Sequence, residues 1–135
     1  MRFLPAATVA ALVACSACSI GAHGALESRG PGASRLATII AGKTAGRARS
    51  CVRREDTRDM VVIDEETIAF RSGSTVYVNR LGGHCSGLGG PYALVMRSTL
   101  GDACRGDIAT IADLTSGTAV GSCTLGDFVP YAPRR

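Results

Sequence analysis

Gly83-His84-Cys85-Ser86-Gly87 sets a thiol and a hydroxyl between glycines, beside an imidazole. A nucleophile in so tight a turn resembles a strand-to-helix elbow, which needs a large α/β sheet and a partner histidine and acid further along. His84 is the last histidine and the chain ends at 135 residues, so neither requirement is met. Cys85 is expected instead as half of a disulfide. A metal site needs three or four ligands, and one histidine with oxidised cysteines does not supply a zinc set. Asp102, Asp107, Asp113 and Asp127 stand in turn-like contexts, where capping the backbone is a commoner role than gathering around calcium. Gly87-Leu88-Gly89-Gly90 lacks the strand and helix that a phosphate loop requires. Arg105-Gly106-Asp107, the tripeptide read by integrins, is also expected to be turn chemistry. The densest acidic run, Asp64-Glu65-Glu66, could serve sugar hydrolysis, but consecutive carboxylates in a hairpin turn are read as solvated. Arg53, Arg54 and Arg58 form the densest basic cluster from residue 51 onward. No catalytic, cofactor-binding or metal-binding residue is assigned, and no cofactor is expected.

The modification site with the clearest pattern lies near the start. Arg2 precedes an uncharged apolar run from Phe3 to Ala14, the layout of a secretory signal. The run is too short to cross a bilayer, which takes about 20 apolar residues, and Pro5 interrupts it. Leu12-Val13-Ala14-Cys15 resembles the bacterial lipobox, in which a branched apolar residue and two small ones precede a cysteine. In proteins of that kind the thiol carries diacylglycerol and the chain is cut just before it, so the resemblance implies that Cys15 is lipidated and becomes the mature N-terminus. Two or more acyl chains hold a protein durably on a membrane. The competing reading is ordinary cleavage, for example after Ala22-His23-Gly24, with release into the periplasm. Ser16 in place of Asp after the cysteine favours, by the same resemblance, the periplasmic face of the outer membrane.

Behind the signal, residues 15–50 are rich in Gly, Ala, Ser and Arg, a composition that buries too little apolar surface to offset ordering. They are read as a flexible basic tether of roughly 30 Å reach. Within it, Leu36 to Ala41 is the exception, with Ile39-Ile40 able to add a strand or helical turn to the domain. Residues 16–50 carry Arg29, Arg35, Lys43, Arg47 and Arg49 against Glu27 alone, whereas residues 51–135 carry nine arginines and ten acidic residues. That places the basic surplus in the tether and leaves the domain without the excess expected of a nucleic-acid binder.

Six cysteines in a short exported chain point to an oxidising compartment. With Cys15 lipidated and Cys18 in the tether without an obvious partner, Cys51, Cys85, Cys104 and Cys123 remain, and four cysteines allow three pairings. The preferred one is nested, Cys51 with Cys123 and Cys85 with Cys104. The two bonds would contribute about 4 and 3 kcal/mol on a chain-entropy basis. The domain has no Trp, and Phe70, Phe128, Tyr77, Tyr92 and Tyr131 are its only aromatics, so its core is small and needs such staples.

From residue 51 the periodicity is that of strands. Met60 to Ile63, Thr67 to Arg71 and Thr75 to Asn79 are apolar or alternating runs, the last two about a Ser72-Gly73-Ser74 turn that predicts a hairpin. After a glycine-rich loop come Tyr92 to Arg97, then Asp107 to Ile111 and Thr118 to Cys123 about a second turn, and finally Phe128 to Tyr131. The expected fold is all-β, a small antiparallel barrel or sandwich of five to seven short strands over residues 51–135.

Cys51, the Val61 to Asp64 run, Tyr77-Val78-Asn79-Arg80-Leu81, Cys85 with Leu88, Cys104 with Gly106-Asp107, and Cys123 with Leu125 resemble a group of small proteobacterial exported proteins. Many of these are lipoproteins, and their shared domain has no assigned function. The resemblance implies location and fold but no catalytic residues. The expected function is that of a non-enzymatic binding or structural module of the cell envelope. Its partners would be the membrane, through the lipid on Cys15, and an envelope protein or polymer, with no nucleic acid. The alternative is an inhibitor of a cell-wall hydrolase, like the small lipoprotein barrels that block lysozymes.

Overall fold

Along residues 59–80 the chain alternates apolar side chains on both faces of its strands. Met60, Val62, Ile68, Phe70 and Tyr77 belong to one apolar cluster, while Val61, Ile63, Ala69, Val76 and Val78 belong to another. A sheet apolar on both faces needs a layer on each, and the chain supplies two different ones. The computed structural model describes residues 30–83, 85–98 and 101–135. These form α1 (Pro31–Ile39), β1 (Lys43–Ala45), β2 (Cys51–Val52), a 3-10 turn (Arg54–Thr57), β3 (Asp59–Asp64), β4 (Thr67–Ser72) and β5 (Thr75–Arg80). They continue with β6 (Tyr92–Arg97), β7 (Ala103–Cys104), β8 (Ile108–Asp113), β9 (Ala119–Thr124) and β10 (Phe128–Pro133). The fold is all-β apart from one short helix. Its strands lie in three antiparallel sheets, ordered β1-β10-β5-β4-β3, β6-β8-β9 and β2-β7, which do not close into a barrel.

Both expected hairpins are present. β4 and β5 pair from Thr67↔Arg80 to Ser72↔Thr75, and β8 and β9 pair from Ile108↔Thr124, with a register shift after Ile111. The principal core lies between the five-stranded and three-stranded sheets. There Ile68, Phe70 and Phe128 meet Ala109, Ile111, Cys123 and Leu125, and the Phe70 and Phe128 rings stand 6.1 Å apart, tilted by 40°. Each large side chain fully buried here contributes about 1.5–3 kcal/mol. β4 is the most buried strand, with Thr67 through Phe70 all buried.

The folded unit begins earlier than its composition predicts. The stretch expected to be tether from residue 15 to 50 includes α1 and β1. Pro31 starts the helix, its fixed φ suiting the first helical position. Leu36, Ile39 and Ile40 then fall on one helical face and pack on Ile63, Ala69, Val76 and Val78. Arg35 ties the helix down by donating to the Val62 carbonyl at 2.9 Å. β1 adds to the edge of β10, and Arg49 and Phe128 exchange backbone hydrogen bonds of 2.8 Å. The exception at Leu36 to Ala41 is therefore the outer layer of the sheet. The domain's charge changes with its boundary: Arg35, Lys43, Arg47 and Arg49 join it, giving thirteen basic against ten acidic residues over 30–135. The basic surplus belongs to the folded unit and not to a tether.

All four domain cysteines are in disulfides, but the nested pairing is wrong. The bonds are Cys51–Cys104 and Cys85–Cys123. Cys51 lies directly across from Cys104 in the β2–β7 register, while Cys123 sits among the core residues beneath the loop carrying Cys85. Tying the domain's ends together would have constrained the longest loop, yet strand register sets Cys51 opposite Cys104, and the loop after β5 brings Cys85 to Cys123 in the core. At sequence separations of 53 and 38, each bond stabilises by about 4 kcal/mol on the chain-entropy estimate.

Asn79 is completely buried and makes a paired contact with one backbone unit: its Nδ2 donates to the Gly126 carbonyl at 2.8 Å and its Oδ1 accepts from the Gly126 N–H at 2.9 Å. Position 126 must be glycine, since a Cβ there would collide with the Arg80 carbonyl. The contact fixes the approach from β9 to β10 against β5, near the Gly82–Thr124 bridge that joins the two main sheets. Asn79→Ala strands a buried N–H and a buried carbonyl, at about 1–3 kcal/mol each. Urea denaturation of the oxidised protein is expected to show a loss of at least about 2 kcal/mol at an unchanged m-value.

Candidate functional site

Most of the groups singled out in the sequence serve the backbone. Asp64 Oδ1 accepts from the Glu66 N–H at 2.9 Å and closes the β3–β4 turn. Glu65 Oε1 reaches the Gly87 N–H at 3.4 Å. In the Arg105-Gly106-Asp107 tripeptide, Asp107 Oδ2 accepts from the Cys104 N–H at 2.8 Å, Gly106 has φ +90°, and Arg105 pairs with Asp127 at 3.3 Å. The tripeptide is thus a turn between β7 and β8. Asp113 accepts from the N–H groups of Thr115 and Ser116, at 2.7 and 2.8 Å, which draw its carboxyl below the usual range. Among the described residues no three His, Cys, Asp or Glu side chains gather as metal ligands. Cys15, Cys18 and His84 lie outside the described residues.

A different region brings charge together. The segment from Arg53 to Asp59 alternates bases and acids, and its fold sorts them. Glu55 pairs with Arg53 at 2.6 Å. Asp56 is buried, accepting from the Ser72 hydroxyl at 2.6 Å and from Arg53 Nε at 3.1 Å. Asp59 takes both arms of Arg71, at 2.9 and 3.1 Å. All three carboxylates are therefore engaged, and Arg54 and Arg58 keep no acidic partner among the described residues. Both line an open cleft of about 1010 Å³ together with Arg97 from the end of β6, Thr57, Met96 and Ser98. Among the described residues no acidic side chain lines this cleft. A smaller cleft of about 270 Å³ takes in Arg49, Cys51, Arg53, Asp56, Tyr77 and Asp102, and the exposed side of the Cys51–Cys104 disulfide opens on it.

Asp56 holds this arrangement in place, tying the 3-10 turn to the end of β4. The Ser72 hydroxyl, and after it Arg53, hold its carboxyl below the ordinary carboxylate range, although burial acts the other way. Arg54 and Arg58 were visible in the sequence as a basic cluster. Arg97 was not, because it comes from a strand 39 residues beyond Arg58 and no local pattern joins them.

The second notable surface is apolar. Val95, Ile108, Val120 and Leu114 are 41%, 57%, 49% and 70% exposed on or beside the outer side of the β6-β8-β9 sheet, and no described element packs over them.

A carboxyl whose pKa is lowered by folding stabilises the protein above its unfolded pKa, and the benefit disappears as pH falls through the folded value. For Asp56 that means a contribution fully present at neutral pH and lost in acid, as pH falls through and below the ordinary carboxylate range. Asp56→Asn is expected to flatten the acid limb of stability against pH, measured as the urea midpoint from pH 7 to pH 2, while Asp56→Ala lowers stability at pH 7 by about 1–2 kcal/mol.

No family model, curated protein or solved structure matches the chain.

Proposed function

We propose that this chain is a small lipoprotein of the bacterial cell envelope, anchored through Cys15 at the periplasmic face of the outer membrane. Its folded domain would act as a non-enzymatic module that binds another envelope component. The observation that carries the reading is the pair of disulfides, above all Cys51–Cys104, whose Cys51 is exposed to solvent. An exposed disulfide persists where the surroundings oxidise thiols, which points to an extracytoplasmic compartment.

Three further features support it. The apolar run that ends at Leu12-Val13-Ala14-Cys15 has the form of an export signal. No helix among the described residues is long and apolar enough to cross a membrane, and the lipid proposed on Cys15 needs none. Binding is the activity to which an open cleft lined by arginines without a salt-bridge partner among the described residues is suited, since guanidinium donors match an incoming oxyanion.

Metabolic labelling with a fatty-acid analogue tests the anchor. The wild-type chain should take up label and sediment with membranes, whereas Cys15→Ser should take up none and appear in the periplasmic fraction with both disulfides intact. Label retained on Cys15→Ser, or wild-type protein recovered with reduced thiols after maturation, would count against the reading.

A further inference from the structure

We infer that Arg54, Arg58 and Arg97 form a binding site for a terminal phosphate group, a phosphomonoester or a pyrophosphate. The inference deepens the binding role proposed above but does not depend on the anchor at Cys15. Its basis is the sorting of charge in residues 53–59. By sequence that segment is balanced, with Arg53, Arg54 and Arg58 against Glu55, Asp56 and Asp59. In the fold the carboxylates are used by Arg53, Ser72 and Arg71, and the two remaining arginines of the segment line a cleft to which β6 adds a third.

Three like charges lining one cleft repel one another, and no described carboxylate forms a salt bridge with them. The hydroxyls nearby do not serve as donors to an anion, because Thr57 Oγ1 donates to the Arg54 carbonyl and Ser98 Oγ to the Asp102 carbonyl. Recognition therefore falls to the arginines, each with a planar fork of N–H donors matched to oxyanions. A carboxylate has two oxygens and one charge, and a phosphodiester offers two free oxygens and one charge. A terminal phosphate has three oxygens and carries about −1.5 to −2 at neutral pH, so it alone among these can use three forks and offset most of their charge. The cleft is open and about 1010 Å³, wide enough for the group to arrive as a small solute or at the head of a lipid.

The test uses the full chain carrying Cys15→Ser, with both disulfides formed, so that anchoring plays no part in the result. Inorganic pyrophosphate is titrated by calorimetry at 0.15 M salt against this protein and against Arg54→Gln, Arg58→Gln and Arg97→Gln. Arg47→Gln is the control, an exposed arginine outside the cleft whose loss changes net charge by the same amount. Each cleft variant should bind pyrophosphate at least tenfold more weakly, and Arg47→Gln less than twofold more weakly. Equal weakening in all four, or no saturable binding by the unsubstituted cleft, overturns the inference.

A flotation arm compares vesicles of phosphatidylcholine containing phosphatidic acid, a phosphomonoester, with vesicles containing phosphatidylglycerol, a phosphodiester. Binding to phosphatidic acid that pyrophosphate displaces assigns a lipid-borne phosphate, and pyrophosphate binding without flotation assigns a free one. Preference for phosphatidylglycerol over phosphatidic acid at equal charge contradicts the site. Circular dichroism of each variant keeps loss of fold apart from loss of binding.

Discussion

The bond between Cys85 and Cys123 lies within the apolar interior, where each sulfur is shielded by the side chains that pack the two main sheets together. Everything that holds the sheets face to face is modest in size. The interior has no Trp, and its largest fully buried side chains are the rings of Phe70 and Phe128. A core of this volume offsets the ordering entropy of some hundred residues only narrowly. The covalent tie works on the opposite side of the balance, by restricting the unfolded chain. Asn79 does in hydrogen bonds what the disulfide does in sulfur, pinning the strand that leaves one sheet to the strand that enters the other. Between those two ties, β5 and β9 have little choice of register.

The strand content was legible because alternation is a local signal. Thr67 to Arg71 and Thr75 to Asn79 state their period within five residues each, and their glycine-containing turn does the rest. The short pairs β1, β2 and β7 carry no period to read, being two or three residues long; they exist because other strands offer them an edge. The helix was nearly hidden. Pro31 and the Leu36-Ile39-Ile40 spacing are helical signals, but the surrounding Gly, Ala and Ser outweigh them unless the apolar outer face of β4 and β5 is already known to need a cover. Disulfide partners were illegible for a related reason, since chain entropy ranks loops by length while pairing is decided by which strands lie side by side.

The site was half legible. Arg53, Arg54 and Arg58 read as a basic cluster, although Glu55, Asp56 and Asp59 in the same run balance them in number. Cancellation in composition is not cancellation in space. Burying Asp56 under Ser72 and turning Asp59 toward Arg71 uses the acids locally, and the bases that remain point to a different part of the surface. Counting α1 and β1 with the folded unit has the same effect at larger scale: Arg35, Lys43, Arg47 and Arg49 lie on the fold that presents the cleft, where their charge adds to the field around it.

The two disulfides interleave, since Cys51 and Cys85 both precede Cys104 and Cys123. A chain that emerges in vectorial fashion, N-terminal end leading, therefore exposes two thiols to oxidant while both correct mates are still behind them. A bond closed between those two thiols in that interval is non-native, and from there the native arrangement is reached by thiol–disulfide exchange in place of simple oxidation. Interleaved connectivity thus makes the yield of the native arrangement depend on the order in which the thiols oxidise, which the size and strand content of the domain alone would not suggest.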